Sequence, residues 1–135
     1  MIAVGSALPE WVDAPLTRTD FVRYQGASGD MNPLHHDDER ARAAGFPSVY
    51  AVGMLQAGVL GTWVADQFGP ENIRRFAVRF REQAWPRDVI TYGGTVVALR
   101  TGDGGEQLLD LELRATRQTG GDHLVGEATV VVPAG

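Results

Sequence analysis

Cysteine is absent from the 135-residue chain, which excludes disulfides and thiolate metal sites. Lysine is absent too, so all twelve basic residues are Arg. They form no basic run, and with a formal net charge of −5 this argues against nucleic-acid binding. There is no long unbroken apolar run. The most apolar stretch, near residues 49–68, is interrupted by Gly, Gln, Thr and Asp, and reads as a buried helix rather than a membrane span. The first residues have neither a basic head nor an apolar run, so no signal peptide is expected and the cytoplasm is the expected location. Repeats and low-complexity tracts are missing as well. One domain over residues 1–135 is therefore expected, large enough to bury roughly two-thirds of its unfolded surface.

Pro9 and Pro15 keep residues 1–16 extended. Thr19 or Asp20 is suited to cap a short helix carrying Phe21, Val22 and Tyr24, which Gly26 and Gly29 end. Asp37 or Asp38 starts a second short helix, Glu39 to Ala44, stopped by Gly45 and Pro47. From Ser48 to Phe68, Val52, Leu55, Val59, Leu60, Trp63 and Val64 recur at helical spacing, and Gly69-Pro70 closes the pattern. That helix is apolar nearly all round, which predicts enclosure by other structure.

Beyond residue 70 the period changes to two. Phe76, Val78 and Phe80 alternate with Arg75, Arg79 and Arg81. Val89 to Leu99 forms a second strand, with a bend or bulge at Gly93-Gly94. Turns at 101–105 and 120–122 bound two more strands, Gln107 to Thr116 and His123 to Val132. One long helix followed by antiparallel strands gives an α+β fold, with the sheet wrapping the helix.

The segment Ser28-Gly29-Asp30-Met31-Asn32-Pro33-Leu34-His35-His36-Asp37 cannot be regular helix, because Gly29 and Pro33 break it and Asn32 precedes a proline. An irregular turn that brings a carboxylate and an imidazole to one point suits proton transfer. The competing reading is that Asp30 merely bonds nearby amides in a turn. His35-His36-Asp37-Asp38 is not expected to hold a metal, since adjacent histidines rarely share an ion from an extended chain and His123 is expected to be remote. Arg75, Arg79 and Arg81 share a strand face that is either solvated or suited to the phosphates of a thioester carrier. Trp63, Phe68, Phe76 and Phe80 read as core before substrate tunnel, with one or two of them available to line an acyl pocket. Trp11 and Trp85 have no assigned place.

The Ser28 to His35 run with Asp37, and Gly53-Met54-Leu55 further on, resembles the motif of MaoC-like (R)-specific enoyl-CoA hydratases and dehydratases over roughly residues 17–133. Val52 stands where that family often has His, and Gly61 where it often has a small hydroxyl residue; both departures bear on substrate shape. The resemblance implies a hot-dog fold, a long helix cradled by a curved antiparallel sheet. It implies a homodimer with active sites near the interface, or a heteromer with another hot-dog subunit. Carried over by position, Asp30 and His35 are the catalytic pair, and the Gly53 N–H binds the thioester oxygen. Ser28, Asn32 and Met54 support the loop or the substrate.

The implied activity is hydration of a trans-2-enoyl thioester of CoA or acyl carrier protein, or the reverse dehydration, with no cofactor and no metal. Asp30 and His35 activate water. A free N–H at the start of a helix, on a residue without a side chain, suits the developing enolate. Two alternatives stand beside this: a hot-dog acyl-CoA thioesterase, and a subunit active only with a distinct partner. Thioesterases of this fold usually carry an acid on the central helix, which here offers only Asp66 near its far end.

Overall fold

Strict alternation builds the sheet. In the strand Gln107–Arg117, Leu109, Leu111, Leu113 and Ala115 are buried while Glu112 and Arg114 are exposed. Burying side chains of this size contributes about 1.5–3 kcal/mol each for the leucines. The computed structural model describes residues 2–132. Its elements are β1 (Trp11–Val12), α1 (Arg18–Ser28), α2 (Asp38–Ala43), α3 (Gly53–Phe68), β2 (Ile73–Phe80), β3 (Ile90–Thr101), β4 (Gln107–Arg117) and β5 (Asp122–Val131). Short 3₁₀ turns lie at Pro33–His35 and Pro70–Asn72.

The strands form one five-stranded antiparallel sheet in the order β1-β3-β4-β5-β2. The fold class is α+β, as expected. The last three strands make a plain meander, but β2 pairs with β5 and not with its successor β3. That places β2 at an open edge. Helix α3 packs across β2, β4 and β5. Leu60 and Val64 meet Ile90, Tyr92, Val96, Leu111, Leu113, Leu124 and Val130 in the core. On the outer face Arg100 pairs with Asp110 at 2.7 Å, and Asp110 also accepts from the Thr129 hydroxyl at 2.7 Å.

Several boundaries differ from the sequence reading. Helix α1 is capped by Thr17, whose hydroxyl accepts from the Asp20 N–H while the Asp20 carboxylate accepts from the Thr17 N–H. Gly26 lies inside α1, and Gly29 ends it in the left-handed region at φ 79°. Helix α3 starts at Gly53, five residues later than Ser48. The chain before it stays extended because it is held from outside: the Tyr50 N–H donates to Leu34 O, Ala51 N–H to Ala84 O, and Val49 N–H to the Asp38 carboxylate.

No bulge occurs at Gly93-Gly94. The register shift falls between Val96 and Ala98, and the two glycines pair normally with Arg114 and Leu113. Gly94 answers a packing demand instead. A Cβ there would come within 2.8 Å of Glu112 O and 3.0 Å of Leu113 Cδ2.

Enclosure of α3 is incomplete. Leu55, Gly58, Val59 and Thr62 line an open groove of about 620 Å³, together with Trp11 and Tyr24. Trp11 stacks on Tyr92 at 5.6 Å, and Trp85 packs edge-on against Tyr50 at 6.0 Å, so both tryptophans now have a place. Trp63 and Phe68 belong to the core and Phe76 packs against it, but Phe80 is 50% exposed, contrary to its core reading.

Candidate active site

Helix α1 ends where the irregular segment begins, and Gln25 fixes that junction. Its position four residues after buried Phe21 puts it on the buried face of the helix. Its side-chain amide donates to Asp30 O at 2.8 Å and to Asn32 O at 3.0 Å, while its oxygen accepts from His36 Nδ1 at 3.0 Å. Ser28 Oγ accepts from the Asp30 N–H, and Asn32 Oδ1 accepts from the Leu34 N–H to cap the 3₁₀ turn. Ser28, the last residue of α1, and Asn32 thus each accept from a backbone N–H of the segment. His36 is exposed, with its Nδ1 on the Gln25 oxygen.

Asp30 serves the turn and the imidazole with different atoms. Its Oδ1 accepts from the Asn32 N–H at 3.2 Å, the local bond of the competing reading. Its Oδ2 lies 3.8 Å from His35 Nε2. The His35 side chain is 9% exposed and that of Asp30 47% exposed. His35 Nδ1 is 2.8 Å from Tyr50 O. A carbonyl only accepts, so Nδ1 carries the proton and, in neutral imidazole, Nε2 presents a lone pair towards Asp30. At 3.8 Å the two groups are too far apart for a direct bond. They are close enough for one water to bridge them.

His35, Tyr50, Ala51, Gly53, Phe80 and Arg81 line a cavity of about 250 Å³. Gly53 is the first residue of α3, and Val52 supplies no side-chain cap. The first-turn N–H groups of a helix have no partner within the helix. Phe80 lies over this glycine: a Cβ on Gly53 would come 2.6 Å from Phe80 Cε1. The Tyr50 ring meets His35 edge-on at 5.0 Å. Burial, and secondarily the charge of Asp30, pushes the Tyr50 hydroxyl above its ordinary range. Asp38 braces the approach to α3, with Oδ2 on Arg18 at 2.8 Å and Oδ1 on the Val49 N–H. Those two bonds, the Val49 one foremost, hold its carboxyl below the ordinary range.

His123 corrects the expectation that it is remote. It is buried in the wall of this same cavity, near His35. Met54 is 56% exposed and stands outside the lining. Gly61 faces the Phe76 ring at ordinary contact distance, 3.6 Å from the place a Cβ would take. Of the strand arginines, Arg75 is tied to Glu127, whereas Arg79 and Arg81 line a polar groove on the outer sheet face. Among the described residues no group of three His, Asp or Glu side chains is placed to hold a metal. No helix there is long and apolar enough to cross a membrane.

Gln25, Tyr50, His123 and Gln56, whose Oε1 lies 3.2 Å from His123 Nε2, stand at or behind the site and were passed over by the sequence reading. For the two glutamines a signal existed, because each is a polar residue on a buried helical stripe: Phe21/Gln25 in α1 and Gln56/Leu60 in α3.

The family model described as "MaoC like domain" matches residues 3–114. The beta subunit of 3-oxo-4,17-pregnadiene-20-carboxyl-CoA hydratase from Mycobacterium tuberculosis is 28% identical over 125 residues, which is 92% of each chain. Five other curated relatives are longer, and the chain spans 12–32% of their length, while two more are covered over 79% and 81% of theirs. A chain of the ChsH1–ChsH2 complex from Mycobacterium tuberculosis superposes with a TM-score of 0.82 at 25% identity, covering 98% of this chain and 100% of that one. The (R)-hydratase from A. caviae superposes with a TM-score of 0.83 at 25% identity, covering 98% of both chains. The fold is the hot-dog fold of these structures.

Proposed function

The chain belongs to the MaoC-like hydratase and dehydratase family, and on that premise we propose that it hydrates trans-2-enoyl thioesters to 3-hydroxyacyl thioesters of (R) configuration, or runs the reverse dehydration. The observation that carries this reading is the pairing of His35 Nε2 with Asp30 Oδ2 at 3.8 Å, with Nδ1 committed to Tyr50 O. A water held between the two loses a proton as its oxygen attacks the β-carbon. The proton is returned to the α-carbon, so that H and OH add across the double bond. Each such assisted transfer is worth roughly 10²–10⁴-fold in rate. Negative charge developing on the thioester oxygen is met by the Gly53 N–H and the positive end of the α3 dipole.

The substrate is carried on CoA or acyl carrier protein, whose phosphates suit Arg79 and Arg81 better than Arg75, which is already engaged by Glu127. The protein is a homodimer or pairs with another hot-dog chain. Met31, Met54 and Phe80 stay 50–60% exposed beside Asp30 and Gly53, an apolar rim that a partner would cover. This rim supports the second reading, a subunit completed by a distinct partner.

Incubation with crotonyl-CoA tests the reading by two signals at once, loss of the conjugated enoyl absorbance and release of free thiol. Loss of absorbance without thiol is the expected result. Thiol release would make the protein a thioesterase instead. Silence in both signals from folded protein, followed by activity on co-expression with another hot-dog chain, would establish the partner-dependent subunit.

A further inference from the structure

We propose that His123 and Gln56 form a positioning pair that locks the first turns of α3 against the chain leaving β2, and so sets the Gly53 amide relative to His35. The inference rests on the hydratase reading for its consequence, but its geometry stands apart from it. His123, near the start of β5, is 3% exposed, and Gln56, three residues into α3 from Gly53, is 1% exposed. His123 Nδ1 lies 2.6 Å from Glu82 O and Nε2 lies 3.2 Å from Gln56 Oε1. The Arg81 N–H in turn donates to His123 O at 2.9 Å. One imidazole therefore ties three separate pieces of chain together: β5, the residues after β2, and the start of α3. His123, Glu82, Arg81 and Gly53 all line the cavity that holds His35.

Helix α3 needs such an anchor. Val52 offers no side-chain cap, and the bonds from Tyr50 and Ala51 hold only the residues that precede the helix, so the helix's own first turns are oriented by side chains such as Gln56. An apolar pair at these positions would fill space but would not define an orientation. A buried polar pair is costly unless both members are satisfied, which makes the arrangement selective for one geometry. Reaction geometry is sensitive on this scale: a displacement of roughly 1 Å can cost about 100-fold in rate.

Proton bookkeeping refines the contact. The Glu82 carbonyl can only accept, so Nδ1 is the protonated nitrogen. Burial pushes the imidazole pKa down and Arg117 reinforces this, against the opposing pull of the Glu82 carbonyl and of the Asp88 and Glu82 charges. In the neutral ring Nε2 has only a lone pair, so the Gln56 carboxamide turns its NH₂ towards it. Amide oxygen and nitrogen have nearly the same shape, and this flip changes no packing.

The test uses Gln56→Leu and His123→Asn in the full chain. Asn retains a donor for Glu82 O but is too short to reach Gln56, so it removes one contact and keeps the other. Both variants are read by kcat and KM on enoyl-CoA and by the ¹H–¹⁵N resonance of the Gly53 amide. The expected result is a kcat lowered at least about tenfold with KM within about twofold, and a shifted Gly53 resonance in a folded protein, because positioning errors act on the reacting geometry. Combining the two substitutions should cost no more than either alone. A Gly53 resonance unmoved in both variants would overturn the proposal, as would wild-type kcat. Should the wild type hydrate no thioester at all, the hydratase reading fails, and the Gly53 resonance alone decides the positioning pair.

Discussion

At Gly53 the proposed function depends on the absence of a side chain. A methyl group there would come 2.6 Å from the Phe80 ring, yet that ring is half exposed and free to swing outward. Gly53→Ala is therefore expected to lower Tm by only about 2–4 °C, corresponding to roughly 1 kcal/mol. Its kcat/KM for hydration should fall at least about tenfold, since the methyl stands beside the amide that must meet the thioester oxygen. Adding Phe80→Ala relieves the crowding, so Tm should recover while activity stays low. Thermal melts and steady-state rates on both variants check this. At this scale the sequence exposed Asp30, His35, Ser28 and Asn32, because they crowd into one irregular segment where local chemistry is legible. It concealed Tyr50, which reaches the site only through the path of the chain, and left open whether Phe80 fills the core or lines a pocket. His123 was concealed for the same reason: it lies 67 positions from its partner Gln56, a juxtaposition that only the β5–α3 packing creates.

Among the elements, the turn joining β2 to β3 depends on one buried ion pair. Arg117 Nε donates to Asp88 at 2.7 Å, Gln118 donates at 2.7 Å and the Trp85 N–H at 2.8 Å. Neighbouring Arg87 sits at φ 76°, a left-handed conformation unusual for a residue with a side chain, so these bonds also hold a strained backbone. Burial alone would push the Asp88 carboxyl up; the bonds from Arg117, Gln118 and Trp85 outweigh it and hold the group below its ordinary 3.8. A carboxyl with a depressed folded pKa contributes stability that is complete above its unfolded pKa and is lost as pH falls through the folded one. Asp88→Asn should cost about 3 kcal/mol at neutral pH. The gap in Tm from wild type should stay constant down to about pH 5 and close below about pH 4. Melting both proteins across pH 3–8 reads this directly, and a gap that widens in acid would contradict it. The elements themselves were largely legible, because period-two alternation in β4 and β5 and the Gly69-Pro70 stop of α3 are local signals. The start of α3 was not. Residues 48–52 have the apolar spacing of a helix but are pulled straight by bonds to Leu34, Ala84 and Asp38. Nor was the bulge, since Gly93 and Gly94 owe their small size to packing against other strands.

For the whole molecule the open edge at β2 is the decisive feature. An eight-residue edge strand leaves a row of backbone groups free to pair. It ends at Phe80, over Gly53, so a partner along this edge would also roof the site. Sedimentation equilibrium is expected to give twice the 14.6 kDa chain mass, or a complex with a second hot-dog chain. A fully active monomer would exclude both. The general plan of helix and sheet followed from the order of patterns along the chain, but the placement of β2 beside β5 did not, because no local signal chooses a strand's neighbour. The proposed function rests on the Asp30–His35 pair. The most direct measurement is kcat/KM for hydration of crotonyl-CoA by wild type, Asp30→Asn, His35→Gln and the double variant. Each single change should cost at least about 100-fold, and the double little more, since the two groups act on one water. Wild-type hydration by folded Asp30→Asn would contradict the account.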